Sequence, residues 1–112
     1  MPKTAKPQTE AAVIRLEGNI RMGEKVDKLR AAVEENLKQG SVRMVIDMSR
    51  VSALDSSGIG VLVRCLTLAK QKGGTVKLSA IPEKAQQSMI TTGILKLFET
   101  FPDEAAAVAS FK

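Results

Sequence analysis

Three features of the sequence carry residues able to do chemistry: the cluster Asp55-Ser56-Ser57-Gly58, the acid Asp47 and the single thiol Cys65. Asp47 and Asp55 are the acids near a predicted strand end, and a pair of acids can exchange protons with a substrate. Asp47, however, sits within the apolar run Val-Arg-Met-Val-Ile-Asp-Met, where a strand is expected. Gly58 and Gly60 lie near a helix start, yet no Gly-x-Gly-x-x-Gly and no phosphate-binding lysine follows them. Cys65 falls on an apolar stripe and reads as a small buried hydrophobe. With no histidine and one cysteine, the usual parts of metal sites and of Ser-His or Cys-His nucleophiles are missing. These residues point to no catalytic group, no metal and no cofactor, and to a protein that is not an enzyme.

The cluster itself supports two readings. Asp and Ser are favoured helix N-caps, because their oxygens accept backbone N–H bonds in the first turn. A serine on a loop between a strand and a helix is also presented outward by a rigid scaffold. Phosphorylation there would add about −1.5 to −2 charge and three acceptor oxygens, at a helix N-terminus suited to an anion. Such a site switches binding on and off without catalytic residues.

The elements that position the cluster follow from periodicity. Residues 11–17 read as a strand stopped by Gly18, and 42–48 as a largely apolar strand covered on both faces. Val26, Leu29, Val33 and Leu37 recur at helical spacing over residues 24–38, with Glu24–Lys28, Arg30–Glu34 and Glu34–Lys38 spaced to pair on the solvent side. Residues 57–72 carry two apolar stripes and one polar strip of Gly60, Arg64, Thr67 and Gln71, ended by Gly73-Gly74. A strand over 75–80 and a helix over 82–92 follow, the latter with Ala85, Met89 and Ile90 inward. A short strand at Leu97-Phe98-Glu99 and a last helix from Pro102 through Ala109 complete the pattern. The alternation implies one α/β domain over residues 11–112 with a mainly parallel sheet, preceded by a flexible tail at 1–10.

Composition narrows the function classes. The core must be aliphatic, since three Phe are the only aromatics. The formal charge of +5 comes from dispersed basic residues, without the basic stripe and stacking aromatics of nucleic-acid binders. No run approaches the ~20 apolar residues of a membrane span, and no apolar leader opens the chain. A cytoplasmic protein with no direct nucleic-acid contact and no membrane insertion is expected.

The run VIDMSRVSALDSSGIGVLVRCLTLAKQKGGTVKL resembles the core of a STAS domain, and most of all the small bacterial anti-sigma factor antagonists. The resemblance covers residues from about 11 to 109, and Thr92-Gly93-Ile94 with Leu97-Phe98 extends it. It implies a mixed, mainly parallel sheet of four or five strands, the first strand or strands antiparallel, flanked by about four helices. It further implies binding to an anti-sigma factor that is also a serine kinase, which frees the sigma factor for transcription. Ser56 is then the phosphoacceptor, and a metal-dependent serine phosphatase reverses the modification. The ATP and Mg²⁺ belong to the kinase. Asp55 flanks the acceptor, Ser57 and Gly58 shape the helix start, with Gly58 allowing close approach of the partner, and Gly60 and Arg64 extend the docking face. Where the family often has Gly-Glu-Leu-Asp or Gly-Glu-Ile-Asp after its first strand, this chain has Gly18-Asn19-Ile20-Arg21, and Ala53 stands where Phe or Tyr is frequent. Other STAS domains serve as scaffold subunits without a phosphoswitch, for example in bacterial lipid-transport complexes, and the altered loop keeps that alternative open.

Overall fold

A computed structural model describes residues 11–20 and 23–111. The tail at 1–10 and the position of Arg21 lie outside the described residues. Strand β1 (Ala12–Ile20) leads into helix α1 (Glu24–Lys38), strand β2 (Arg43–Leu54) and helix α2 (Ser56–Gln71). Strand β3 (Thr75–Ser79), helix α3 (Glu83–Thr91), a 3-10 turn (Leu95–Leu97), strand β4 (Thr100–Phe101) and helix α4 (Glu104–Ala109) follow. The sheet order is β1-β2-β3-β4, and all three pairings are parallel. The antiparallel first strand implied by the resemblance is not found among the described residues: the first strand read from the sequence pairs parallel to β2, as a helical crossover through α1 requires.

Side chains alternate across the sheet, so each strand feeds two different layers. Met44, Ile46, Met48, Val76 and Leu78 face α1, α2 and α3, and are all essentially inaccessible. Leu29 and Val33 of α1, Leu62, Cys65 and Ala69 of α2, and Ala85 and Met89 of α3 complete this aliphatic layer. Burying each such leucine or methionine contributes about 1.5 to 3 kcal/mol. The opposite rows, Val13–Val45–Lys77 and Arg15–Asp47–Ser79, lie on the other face. Among the described residues that face is covered by α4, which packs on β2, β3 and β4.

Several elements depart from the sequence expectation. β1 does not stop at Gly18: the glycine takes φ +82, and the register shifts there so that Asn19 pairs with Ala53 and Ile20 with Leu54. A glycine passes through this left-handed conformation without steric cost, and the strand continues beyond the bulge. Lys25 Nζ donates to the Glu17 carbonyl at 2.9 Å alongside it. β2 in turn extends to Leu54, since Val51 and Leu54 are buried although Ser49, Arg50 and Ser52 break the apolar run. On α1 the Glu24–Lys28 pair forms at 3.1 Å, while Arg30 reaches Asp27 at 3.8 Å instead of Glu34. Pro82 caps α3 from outside its first turn. Ile90 is 52% exposed, because Ala85 and Met89 already define the inward face and the next residue is rotated about 100° away. Leu97 also projects outward, at 47% exposure, from the 3-10 turn. The strand expected at 97–99 begins at Thr100 and pairs with Leu78 and Ser79 alone.

Candidate functional site

The paired strands β1 and β2 end side by side at Ile20 and Leu54, and the chain turns there into α2. The Asp55 amide donates to the Ile20 carbonyl at 3.3 Å, tying the turn to the end of β1. Asp55 is the N-cap of α2, in extended conformation, and its Oδ1 accepts from the Gly58 amide at 3.0 Å. The Ile59 amide donates to the Asp55 carbonyl at 3.0 Å and starts the helical ladder. The cap role therefore falls to the acid. Ser56, the first helical residue, is exposed, and Ser57 is half-buried.

Gly58 is packed against the strand ends. It is buried, and a Cβ there would stand 2.7 Å from the Ile20 carbonyl oxygen and 2.7 Å from Leu54 Cδ1. Its lack of a side chain lets α2 settle onto the strand ends. Gly60 is the reverse case: it is exposed, with nothing within 4 Å of where a Cβ would be. Arg64 is exposed one turn further on. Ser56, Gly60 and Arg64, spaced four residues apart, thus share one outward strip of α2.

Beside Ser56 lies an open depression of about 420 Å³. Leu54 and Ile59 give it apolar surface, Asp55 and Ser56 form one wall, and Gln87, Ser88 and Thr91 of α3 form the other with Thr92, its C-cap. The α3 wall was not anticipated from the sequence. Its signal was present as the pairs Gln87/Thr91 and Ser88/Thr92 at helical spacing beside inward Ala85 and Met89, but periodicity alone does not tell which helix will stand opposite Ser56. Asn19, read from the sequence as part of a loop, lies in β1 at the same end of the sheet: Ser52 Oγ donates to its Oδ1 at 3.0 Å, joining the ends of β1 and β2 just before the turn.

The remaining chemistry-bearing residues stand apart from this surface. Asp47 is half-buried on the far face of the sheet, where its Oδ1 accepts from the Ser49 amide at 3.0 Å. Cys65 is fully buried in the aliphatic layer, and burial pushes its thiol up to about 12. A thiol so held is protonated at neutral pH and is a poor nucleophile. Among the described residues no three His, Cys, Asp or Glu side chains group to hold a metal ion, and no helix is long and apolar enough to cross a membrane. What the site presents is an outward hydroxyl on a helix start, bordered by a shallow depression and a smooth helical strip.

Solved structures share this arrangement of strands and helices. A sulfate transporter family protein from Wolinella succinogenes superposes with a TM-score of 0.80 at 17% identity, covering 94% of this chain and 86% of its own. The Bacillus cell fate determinant SpoIIAA in its phosphorylated form gives 0.73 at 22% identity, covering 93% of each chain. The STAS domain of a SulP transporter from Vibrio cholerae gives 0.69 at 23% identity, covering 95% of this chain and 83% of its own. At these identities the likeness is one of fold. The sequence carries the assignment further: the STAS domain family model matches residues 3–107, which takes in every strand and most of α4, and the chain therefore belongs to the STAS domain family.

Proposed function

We propose that this protein is an anti-sigma factor antagonist whose binding to an anti-sigma factor serine kinase is switched off by phosphorylation of Ser56. The observation that carries the reading is the division of labour at the start of α2. Asp55 caps the helix, and Ser56 is left exposed beside the depression. The Gly58 and Ile59 amides are already engaged, so the first two amides of the helix remain to meet an added phosphate. The same phosphate stands next to the Asp55 carboxylate, and this concentration of negative charge changes the surface offered to the kinase. The unmodified face of Asp55, Ser56, Ser57, Gly60 and Arg64 would dock the kinase. A serine phosphatase would restore it, and the outcome would be control of sigma-factor-dependent transcription in a bacterial cytoplasm. That role requires no catalytic group in this chain, and the ATP and Mg²⁺ would belong to the kinase.

The test is incubation with a candidate anti-sigma kinase and ATP, followed by mapping of the phosphate by mass spectrometry. Phosphate on Ser56, with loss of kinase binding, is expected. Modification of Ser57 alone, or of neither serine, would overturn the assignment for that pair. The second reading, a transporter-associated STAS scaffold without a switch, draws on the likeness to two transporter-family structures and on uncharged Asn19 in the altered loop. Recovery of a permease or ATPase, and no kinase, on affinity capture would favour it.

A further inference from the structure

The two faces of the sheet are built from different chemistry. Where both faces of a parallel sheet are permanently covered, both are as a rule apolar. Here the face toward α1, α2 and α3 is aliphatic, while the two rows beneath α4 set Arg15, Asp47, Lys77 and Ser79 beside Val13 and the buried Val45. Lys77 is 8% exposed and Ser79 fully buried, and Ser79 Oγ has no hydrogen-bond partner among the described residues. A buried, unpaired hydroxyl carries a desolvation penalty that water would remove.

The helix over these rows brings little apolar surface. α4 spans Glu104–Ala109, its sequence is Glu-Ala-Ala-Ala-Val-Ala, and Ala107 is its one fully buried residue. It is held instead by polar contacts at its two ends. At the first, Arg15 Nε and Nη2 donate to the two Glu104 carboxylate oxygens at 2.7 and 2.9 Å. At the second, Lys77 Nζ donates to Ser110 Oγ at 2.8 Å and lies 4.1 Å from the centroid of the Phe111 ring; its ion pair with Glu99 at 3.0 Å lies outside α4. When these contacts break, the Arg15, Glu104, Lys77 and Ser110 groups regain water, and water also reaches the Ser79 hydroxyl. The open state is thereby favoured relative to one that would bare an aliphatic face.

We infer that α4 is a releasable cover, which lifts from the polar face of the sheet while the β1–β3 sheet and α1–α3 stay folded. The motion leaves the Ser56 surface intact, because that surface is built on the other layer and on the strand ends.

Hydrogen exchange followed by mass spectrometry on the full chain tests this. Under native conditions the amides of α4 should exchange at least tenfold faster than those of buried α2. Raised salt and Glu104→Gln should each accelerate α4 severalfold while α2 is unchanged. Arg15→Gln should act the same way, and the double variant should add little to either single change, since both break one latch. Circular dichroism confirms that the variants fold. Exchange of α4 at the same rate as α2, or acceleration of both together, would overturn the inference by showing that α4 opens only with global unfolding.

Discussion

The two layers on either side of the sheet hold the same strands by different means. The layer of α1, α2 and α3 interlocks aliphatic side chains with essentially no accessible surface. The α4 layer rests on two polar latches and one buried alanine. Close-packed apolar contacts are lost in proportion to the atoms removed, and they resist local opening. Polar latches exchange protein partners for water at small net cost. One face is thus built for permanence and the other for exchange, and the Ser56 surface belongs to the permanent one.

Substitution at the middle of each layer tests this contrast most strongly. Leu62→Ala, in the aliphatic layer, should cost about 3 kcal/mol of unfolding free energy by denaturant titration. Lys77→Met, in the α4 layer, should change it by less than about 1 kcal/mol, since an apolar chain of similar length replaces a buried ion. Equal losses at the two positions would break the comparison. Next comes Gly58→Ala, which forces a methyl against the Ile20 carbonyl and Leu54 and should cost about 2 kcal/mol.

The alkaline limb sharpens the picture of the aliphatic layer. The folded-state thiol of Cys65 is raised from 9.0 to about 12, so its contribution is fully present below about pH 9. Between those values the unfolded chain has lost a proton that the native protein keeps, and stability falls as pH rises, by about 1.4 kcal/mol per pH unit from this group. Cys65→Ala should flatten that decline in unfolding measured from pH 8 to 11. The smallest effect has the opposite sign. Gly60→Ala fills open space on the outside of a helix and should raise stability by about 0.5 to 1 kcal/mol. If Gly60 belongs to the docking strip, the same variant should bind the kinase less well, which a titration calorimeter would register alongside the higher melting temperature.

Much of this architecture was legible in the sequence where one period dominated. The three-to-four spacing of Val26, Leu29, Val33 and Leu37 gave α1 its bounds, and the polar strip through Gly60 and Arg64 told which side of α2 faces outward. Strand ends were harder, because tertiary pairing overrides local punctuation. Gly18 reads as a stop, yet β1 runs on past it to Ile20, and Ser49-Arg50 falls beyond the strand read at 42–48, yet it lies within a twelve-residue strand. That Asp55-Ser56-Ser57 opens a helix was readable from cap chemistry, whereas the choice of Ser56 over Ser57 came from the family resemblance. The α3 wall of the depression was not legible, since it depends on how a crossover packs. Nor was the inward position of Lys77, whose burial rests on Ser110, Glu99 and Phe111, more than twenty residues away in the chain.

The bulge at Gly18 has one more consequence. Among the described residues β1 is the edge of the sheet, and a long, flat edge with free amides and carbonyls invites pairing with other molecules. Gly18, at φ +82, turns the backbone out of the extended conformation partway along that edge, and Lys25 occupies the Glu17 carbonyl. Arg15 and Glu17 add charge on the rim. The same irregularity that delivers Ile20 to the turn before Ser56 thus makes β1 a poor template for aggregation.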